Sequence, residues 1–177
     1  MNRNNIAEKE IKEILKKISY SETLSEQGWL GGELKLPNLE QGWEIAFKYG
    51  EQIFVVEYDD DKHYRNTLTI KADLEKDRIS KELGYEIIRV PYWIAMDTIM
   101  VEYYFGIEFD VETTNKHGFT EDDLFPASFC EKGIERFKQE YDELPNKVKK
   151  EIRNTIEKRI DEIGQEFVLP NSIKTLR

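Results

Sequence analysis

The sequence has little cysteine and no long apolar run. Its 177 residues include one cysteine, Cys130, so no disulfide can form within the chain and no cysteine-based zinc site is available. No stretch approaches the roughly 18 consecutive apolar residues that a membrane-spanning helix requires. The first residues, MNRNNIAEKEIKEILKK, lack the apolar core of a signal peptide. These absences predict a protein of the reducing cytoplasm that has no membrane partner.

Positive charge is also scarce. The chain carries 26 Lys and Arg against 36 Asp and Glu, a net charge of −10, whereas a nucleic-acid-binding protein normally presents a basic face. The acidity is uneven, because residues 26–61 hold nine acids and two bases while residues 62–100 hold six acids and seven bases. Net charge alone therefore does not decide which class of partner the protein binds.

The chain is rich enough in apolar and aromatic residues to fold. It is 39% hydrophobic and 12% aromatic, which allows a substantial core and excludes a disordered chain. Trp43, Tyr92 and Trp93 occupy predicted strand positions. Aromatic residues at such positions usually pack in a core, and we expect these three there rather than on a nucleic-acid-binding surface.

The periodicity of apolar residues predicts an α/β domain. Two β-rich runs flank Gly50-Glu51 and predict a hairpin. A helix then begins at the N-cap Asp73 and ends at Gly84, and the strand YEIIRVPYW follows, with Pro91 favouring its end. The predicted strands are 43–49 and 52–59, and the predicted helices are 5–19, 73–84, 95–105, 132–143 and 146–163.

Residues 107–130 have a different character from the rest. They are acidic and typical of a loop, and the two helices that follow them include one with a clear apolar stripe at 146–163. We therefore divide the chain into an α/β core over 1–106 and an extension over 107–177. The extension consists of the acidic loop and C-terminal helices packed on the core.

The segment FVVEYDDDKHY, residues 54–64, carries the strongest chemical signal. Side chains alternate along a strand, so Glu57 and Asp59 share one face at the end of the strand. In a hairpin, Glu44 lies toward the same end. Converging carboxylates suit a hard divalent cation such as Mg²⁺, and His63 is near enough to act as a general base or to assist a leaving group.

Each of these residues also has a simpler interpretation. Four carboxylates within residues 57–61 could belong to a solvated turn, since turns are rich in Asp. Asp73 is first a helix cap, and Lys76 and Arg89 could either reach phosphates or lie on the surface. His117, in NKHGF, has no partner nearby in the sequence and is expected in a loop.

The same region resembles a known family. The stretch VEYDDDKHY–RNTLTIKA–DLEKDRISKELGYEIIRVPYW is similar to the very-short-patch-repair-like branch of the PD-(D/E)XK nucleases. In that branch a strand ends in E-x-D-G-x-x-H, an Asp opens a helix, and a strand beginning with Gly-Tyr closes the unit. The resemblance covers roughly residues 40–95, and the matching residues are Glu57, Asp59, His63, Asp73, Lys76, Asp77, Gly84, Tyr85 and Arg89.

The resemblance implies a restriction-endonuclease-like core, in which helices flank a mixed sheet, and a nuclease that hydrolyses double-stranded DNA with Mg²⁺ or Mn²⁺. Glu57 and Asp59, together with Glu44, would hold the metal. The family often has an acid in its first helix, for which Glu10 and Glu13 are candidates. The catalytic set that it implies is Glu57, Asp59, His63, Asp73 and Lys76.

The chain also departs from the family pattern. Asp59 occupies the place of the lysine in E-x-K, and Asp60 replaces the usual glycine. A second hypothesis follows, in which the fold is a catalytically inactive module whose acidic surface mimics DNA and binds a basic protein. The sequence does not separate DNA from RNA as the substrate, and it does not predict the oligomeric state.

Overall fold

The computed structural model describes residues 3–19, 28–29, 34–37, 39, 42–43, 45–49, 51–113, 115–173 and 176. Within these ranges the protein is a mixed α/β fold, as the sequence predicted, in which helices flank one sheet. Helix α1 spans Arg3–Ser19 and corresponds to the predicted helix 5–19. No helix among the described residues is long and apolar enough to cross a membrane.

The sheet has four strands in the order β1-β2-β3-β4. Strands β1 (Gly28–Trp29), β2 (Ile45–Tyr49) and β3 (Gln52–Asp59) are antiparallel neighbours. The predicted hairpin is therefore confirmed, with Ile45 opposite Val56 and Tyr49 opposite Gln52. Strand β4 (Tyr85–Pro91) is parallel to β3 and ends at the predicted proline. This parallel pair places β4 beside the carboxylate-bearing end of β3.

Two helices, one short and one long, join β3 to β4, and here the predicted bounds were wrong. Helix α2 spans Lys62–Arg65, and α3 spans Thr67–Glu82 rather than 73–84. The N-cap of α3 is Asn66, whose side-chain oxygen accepts hydrogen bonds from the backbone N–H groups of Leu68 and Thr69 at 2.9 and 3.4 Å. Asp73 is thus not a cap. It lies inside α3 and is 7% exposed, so it faces the protein interior.

Two of the remaining helices follow the prediction closely, α5 over Glu131–Glu143 and α6 over Asn146–Ile163. Helix α4 spans Thr98–Phe105 and begins later than the predicted 95–105. The short α7, Gln165–Val168, was not predicted. Among the described residues between α4 and α5, the chain has no regular structure apart from a 3₁₀ turn at Pro126–Ser128. The stripe of α6 is buried at Val148, Ile152 and Ile156, whereas Ile163 is 40% exposed.

The two faces of the sheet contact different cores. Val56 and Val90 point into the larger cluster, which also contains Leu15 of α1 and Phe137 of α5. Val55 points the other way, into a smaller cluster with Trp43 against which α3 packs. Trp43, Tyr92 and Trp93 are all buried, as expected. Because side chains alternate along β3, Glu57 and Asp59 lie on the face that α3 covers.

His117 is not an unpartnered loop residue, contrary to the sequence interpretation. It is 4% exposed, and its Nδ1 accepts a hydrogen bond from the backbone N–H of Ala95 at 3.2 Å. Its Nε2 therefore carries the proton and donates to Oδ2 of Asp97 at 3.1 Å. Asp97 also caps α4 by accepting from the N–H of Met100 at 3.0 Å. His117 thus fixes the acidic loop to the start of α4.

Replacement of this histidine tests its role. In His117→Ala, the buried N–H of Ala95 and the Asp97 carboxylate each lose a partner. We expect the free energy of unfolding to fall by about 1–3 kcal/mol, measured by urea denaturation. Lys116→Ala removes the adjacent exposed side chain and should change little. Equal midpoints for the two variants would contradict the assigned role.

Candidate functional site

Three elements that follow one another in the chain position the candidate residues. Strand β3 presents Glu57 and Asp59 at its end, and α2 returns His63 over them. Helix α3 then covers the same face of the sheet with Asp73 and Lys76. All five residues of the expected catalytic set therefore meet in one place. Glu44 lies outside the described residues.

A group of metal-ligating atoms forms at the end of β3. One ligand atom each from Glu57, Asp59 and His63 lie within 4.8 Å of one another. A cleft of about 570 Å³ opens beside them, and Glu57, His63, Asp73 and Lys76 line it. Asp59 is completely buried, so Glu57 and His63 are the members of the group that face this cleft.

Asp59 is held by two guanidinium groups. Its Oδ1 accepts a hydrogen bond from NH1 of Arg89 at 2.8 Å, and its Oδ2 accepts one from NH2 of Arg136. Nδ1 of His63 lies 3.2 Å from the same Oδ1. Arg89 is also fixed by Asp77, with NH2 2.8 Å from Oδ1. The Asp59 carboxylate thus has cationic partners on both oxygens, and Arg89 is a member of the site rather than a surface residue.

Asp73 orients His63. The Nδ1–H of His63 donates to Oδ2 of Asp73 at 2.7 Å. Burial would lower the pKa of His63, but the hydrogen bond to Asp73 and the charges of Asp59 and Asp73 raise it above its ordinary value of 6.5. Burial would raise the pKa of Asp73, but the His63 hydrogen bond and the charge of Arg89 lower it. The pair therefore favours a protonated imidazole beside an ionised carboxylate.

Lys76 is directed into the protein and pairs with Glu57. Its Nζ lies 2.6 Å from Oε2 of Glu57 and 4.1 Å from the centre of the Trp43 ring. Lys76 is only 6% exposed, so the interpretation of it as a surface residue was wrong. Burial raises the pKa of Glu57, although the charges of Lys76 and Arg89 act in the opposite direction. The ammonium thus replaces part of the solvation that the Glu57 carboxylate loses.

Sequence reasoning missed the contribution of α5. Arg136 donates to four groups: Asp59, Asp73 at 3.1 Å, the carbonyl of His63 at 3.3 Å and Glu140 at 2.8 Å. Glu140 accepts in turn from the hydroxyl of Tyr64 at 2.6 Å. The i,i+4 spacing of Arg136 and Glu140 is visible in the sequence. No local pattern shows that this face of α5 docks on the end of β3.

The acid of α1 that lines the cleft is neither of the two that were expected. Glu10 contacts Thr113 at 3.4 Å and Asn115, and Glu13 pairs with Lys16 at 3.1 Å. Neither of them lines the cleft. Glu8 does line it, and its carboxylate accepts a hydrogen bond from Lys12 at 2.6 Å. Helical spacing predicted the apolar stripe of α1 correctly but not which of its acids faces the site.

Comparisons of the chain with protein-family models, with curated proteins and with solved structures found no match.

The coupling of His63 to Asp73 has a consequence for stability. The raised pKa of His63 means that its contribution is complete below pH 6.5 and is lost as pH rises through the folded-state value. The lowered pKa of Asp73 means that its contribution is present above pH 3.8 and is lost as pH falls through its own folded-state value. The pair therefore stabilises the fold most between these two limits.

A comparison of the wild-type protein with His63→Gln in EDTA tests this pH dependence of stability. Glutamine keeps a polar side chain but does not titrate. The difference in free energy of unfolding should be larger near pH 5.5 than near pH 9, because the charged pair is lost at the higher pH. Guanidinium chloride denaturation at the two pH values measures it. A difference that stays constant with pH would show that the pair is not ionised as described.

Proposed function

We propose that the protein is a metal-dependent endonuclease that hydrolyses a phosphodiester bond of double-stranded DNA. The observation that carries this proposal is the convergence of Glu57, Asp59 and His63 ligand atoms within 4.8 Å at the side of an open cleft. The succession of β3, α3 and β4 also agrees with the strand–helix–strand order of the nuclease motif that the sequence resembles. It supports a restriction-endonuclease-like core.

The charge of the site suits a divalent cation. Five carboxylates are connected by ion pairs or hydrogen bonds to three cationic side chains, Lys76, Arg89 and Arg136. With His63 protonated beside Asp73, four cationic groups face the five carboxylates, and one negative charge remains uncompensated. Carboxylate oxygens are the ligands that Mg²⁺ and Mn²⁺ prefer. The five acids are Glu57, Asp59, Asp73, Asp77 and Glu140.

In this proposal the side chains have distinct roles. Glu57 and Asp59 hold the metal, which would polarise a phosphate and lower the pKa of a bound water. Lys76 reaches Glu57 from α3, with its Nζ 2.6 Å from the carboxylate. It supplies the positive charge that the missing lysine of E-x-K would give, and it contacts the phosphate. His63, protonated through Asp73, donates its proton to the leaving oxygen.

One observation favours the second function, an inactive module that binds a basic protein. Asp59 is completely buried, and guanidinium groups occupy both of its oxygens. A site in which all the carboxylates have internal partners can have a purely structural role. The net charge of −10 would then favour binding of a basic protein at the surface. This function excludes metal-dependent cleavage, so one experiment separates the two.

Glu57→Gln is the variant that tests the nuclease. Glu57 lines the cleft and has one direct cationic partner. Its amide removes a charged metal ligand, while the amide oxygen can still accept a hydrogen bond from the buried Lys76. We expect the protein to nick supercoiled plasmid in Mn²⁺ or Mg²⁺ and not in EDTA. Glu57→Gln should nick at least about a hundredfold more slowly, as is typical when a group that stabilises the transition state is lost.

Glu51→Gln is the matched control, because it makes the same change at a fully exposed position of the same hairpin. Asp59→Ala is a poorer test, since it would remove a carboxylate partner from each of two largely buried guanidinium groups, at a cost of roughly 3–5 kcal/mol. Single-stranded RNA and DNA in parallel reactions identify the substrate. Metal-independent nicking, or equal rates for Glu57→Gln and Glu51→Gln, would refute the nuclease and leave the binding module.

A further inference from the structure

Helix α5 is docked against the site by close backbone contact. A Cβ atom on Gly133 would lie 1.7 Å from the carbonyl oxygen of Tyr64, so only glycine allows α5 to approach α2 this closely. The N–H of Cys130 donates to the same carbonyl at 3.1 Å. The Tyr64 ring stacks on Phe129 with centroids 4.9 Å apart. These contacts direct the Arg136 side chain toward the end of β3.

The Arg136 guanidinium bridges two carboxylates of the site. Its NH2 group donates to Oδ2 of Asp59, and its NH1 group donates to Oδ2 of Asp73 at 3.1 Å. A divalent metal ion would bridge two carboxylate oxygens from different elements in the same way. The chain's own side chain therefore occupies a position in which positive charge is stabilised.

We propose that a divalent ion at the Glu57–Asp59 site of the proposed nuclease must displace Arg136 before it can take Asp59 as a ligand. The inference rests on the proposed function and adds its regulation. Metal binding and the docking of Arg136 exclude each other, because Arg89 occupies Oδ1 of Asp59 and Arg136 occupies Oδ2. The like charges of the ion and of Arg136 also repel at this distance.

Arg136 is the partner that moves, whereas Arg89 stays in place. Arg89 belongs to β4, where its backbone lies opposite Glu57 of β3, and both its Nε and NH2 groups donate to Asp77. Arg136 extends from a helix and has a second position available to it. Its Nε already donates to Glu140 one turn along α5, and its guanidinium lies over the Tyr64 ring at 4.9 Å. Glu140 and Tyr64 can hold the displaced group.

Mn²⁺ affinity distinguishes the possibilities. Titration calorimetry on the full chain compares the wild-type protein, Arg136→Gln and Lys138→Gln, which removes a charge from an exposed position of the same helix. We expect Arg136→Gln to bind Mn²⁺ at least about tenfold more tightly than the wild type, since a competing cation has been removed. Lys138→Gln should bind as the wild type does.

Hydrogen exchange on the wild-type protein provides an independent measurement. Saturating Mn²⁺ should increase amide exchange in residues 131–143, because α5 loses two of its ion pairs with the site. If Arg136→Gln does not fold, Arg136→Lys keeps the charge without the bridging geometry. It should bind Mn²⁺ more tightly than the wild type by a smaller factor.

The outcomes are separable. Equal Mn²⁺ affinity in the wild type and both Arg136 variants, with unchanged exchange in α5, would overturn the displacement and leave the metal site intact. Absence of Mn²⁺ binding in every variant would remove the metal site and the nuclease together. Tight binding in Arg136→Gln beside weak or undetectable binding in the wild type would support the displacement.

Discussion

The structure depends on a buried carboxylate that is held by two arginines. Asp59 has no exposed surface, and an isolated ionised carboxylate in such a position would be strongly destabilising. Arg89 and Arg136 compensate the charge of this carboxylate, and they lie 30 and 77 residues further along the chain. One ion-pair network therefore joins the β3–β4 pair of the sheet to α5 of the C-terminal extension. Loss of either arginine would remove a guanidinium partner from one oxygen of this buried carboxylate, which is destabilising.

Much of the site could be predicted because its signals are local. Alternation along β3 placed Glu57 and Asp59 on one face, and the short connection to α2 placed His63 nearby. Asp73 was assigned to the site through the resemblance to the nuclease motif, whereas its predicted role as a helix cap was wrong. Asn66 is the cap, and Asp73 is a buried residue about two turns further along α3. Two candidate capping residues, Asn66 and Asp73, are present in RNTLTIKAD, and local preference alone does not choose between them.

Arg136, Glu140 and Glu8 could not be found in this way, because tertiary docking decides their roles. The amphipathic pattern of a helix indicates which residues are apolar, and hence which face is buried. It does not indicate which other element that face meets. The same limit applies to Lys76, since a lysine on a helix is usually solvated and only the position of Trp43 and Glu57 makes this one an internal counter-ion. Polar networks of this kind are properties of the assembled fold.

The Gly133–Tyr64 contact also has a consequence for the order of folding. Strands β3 and β4 and helix α3 are close in sequence and can associate early, whereas α5 closes a much longer loop onto α2, and long-range closure is slow. We expect the chain to pass through a stage in which the sheet has formed while Asp59 still faces water. Pulsed hydrogen exchange would detect this stage as protection of β3 and β4 before α5. On this expectation, water leaves the ion-pair centre only after the sheet has formed.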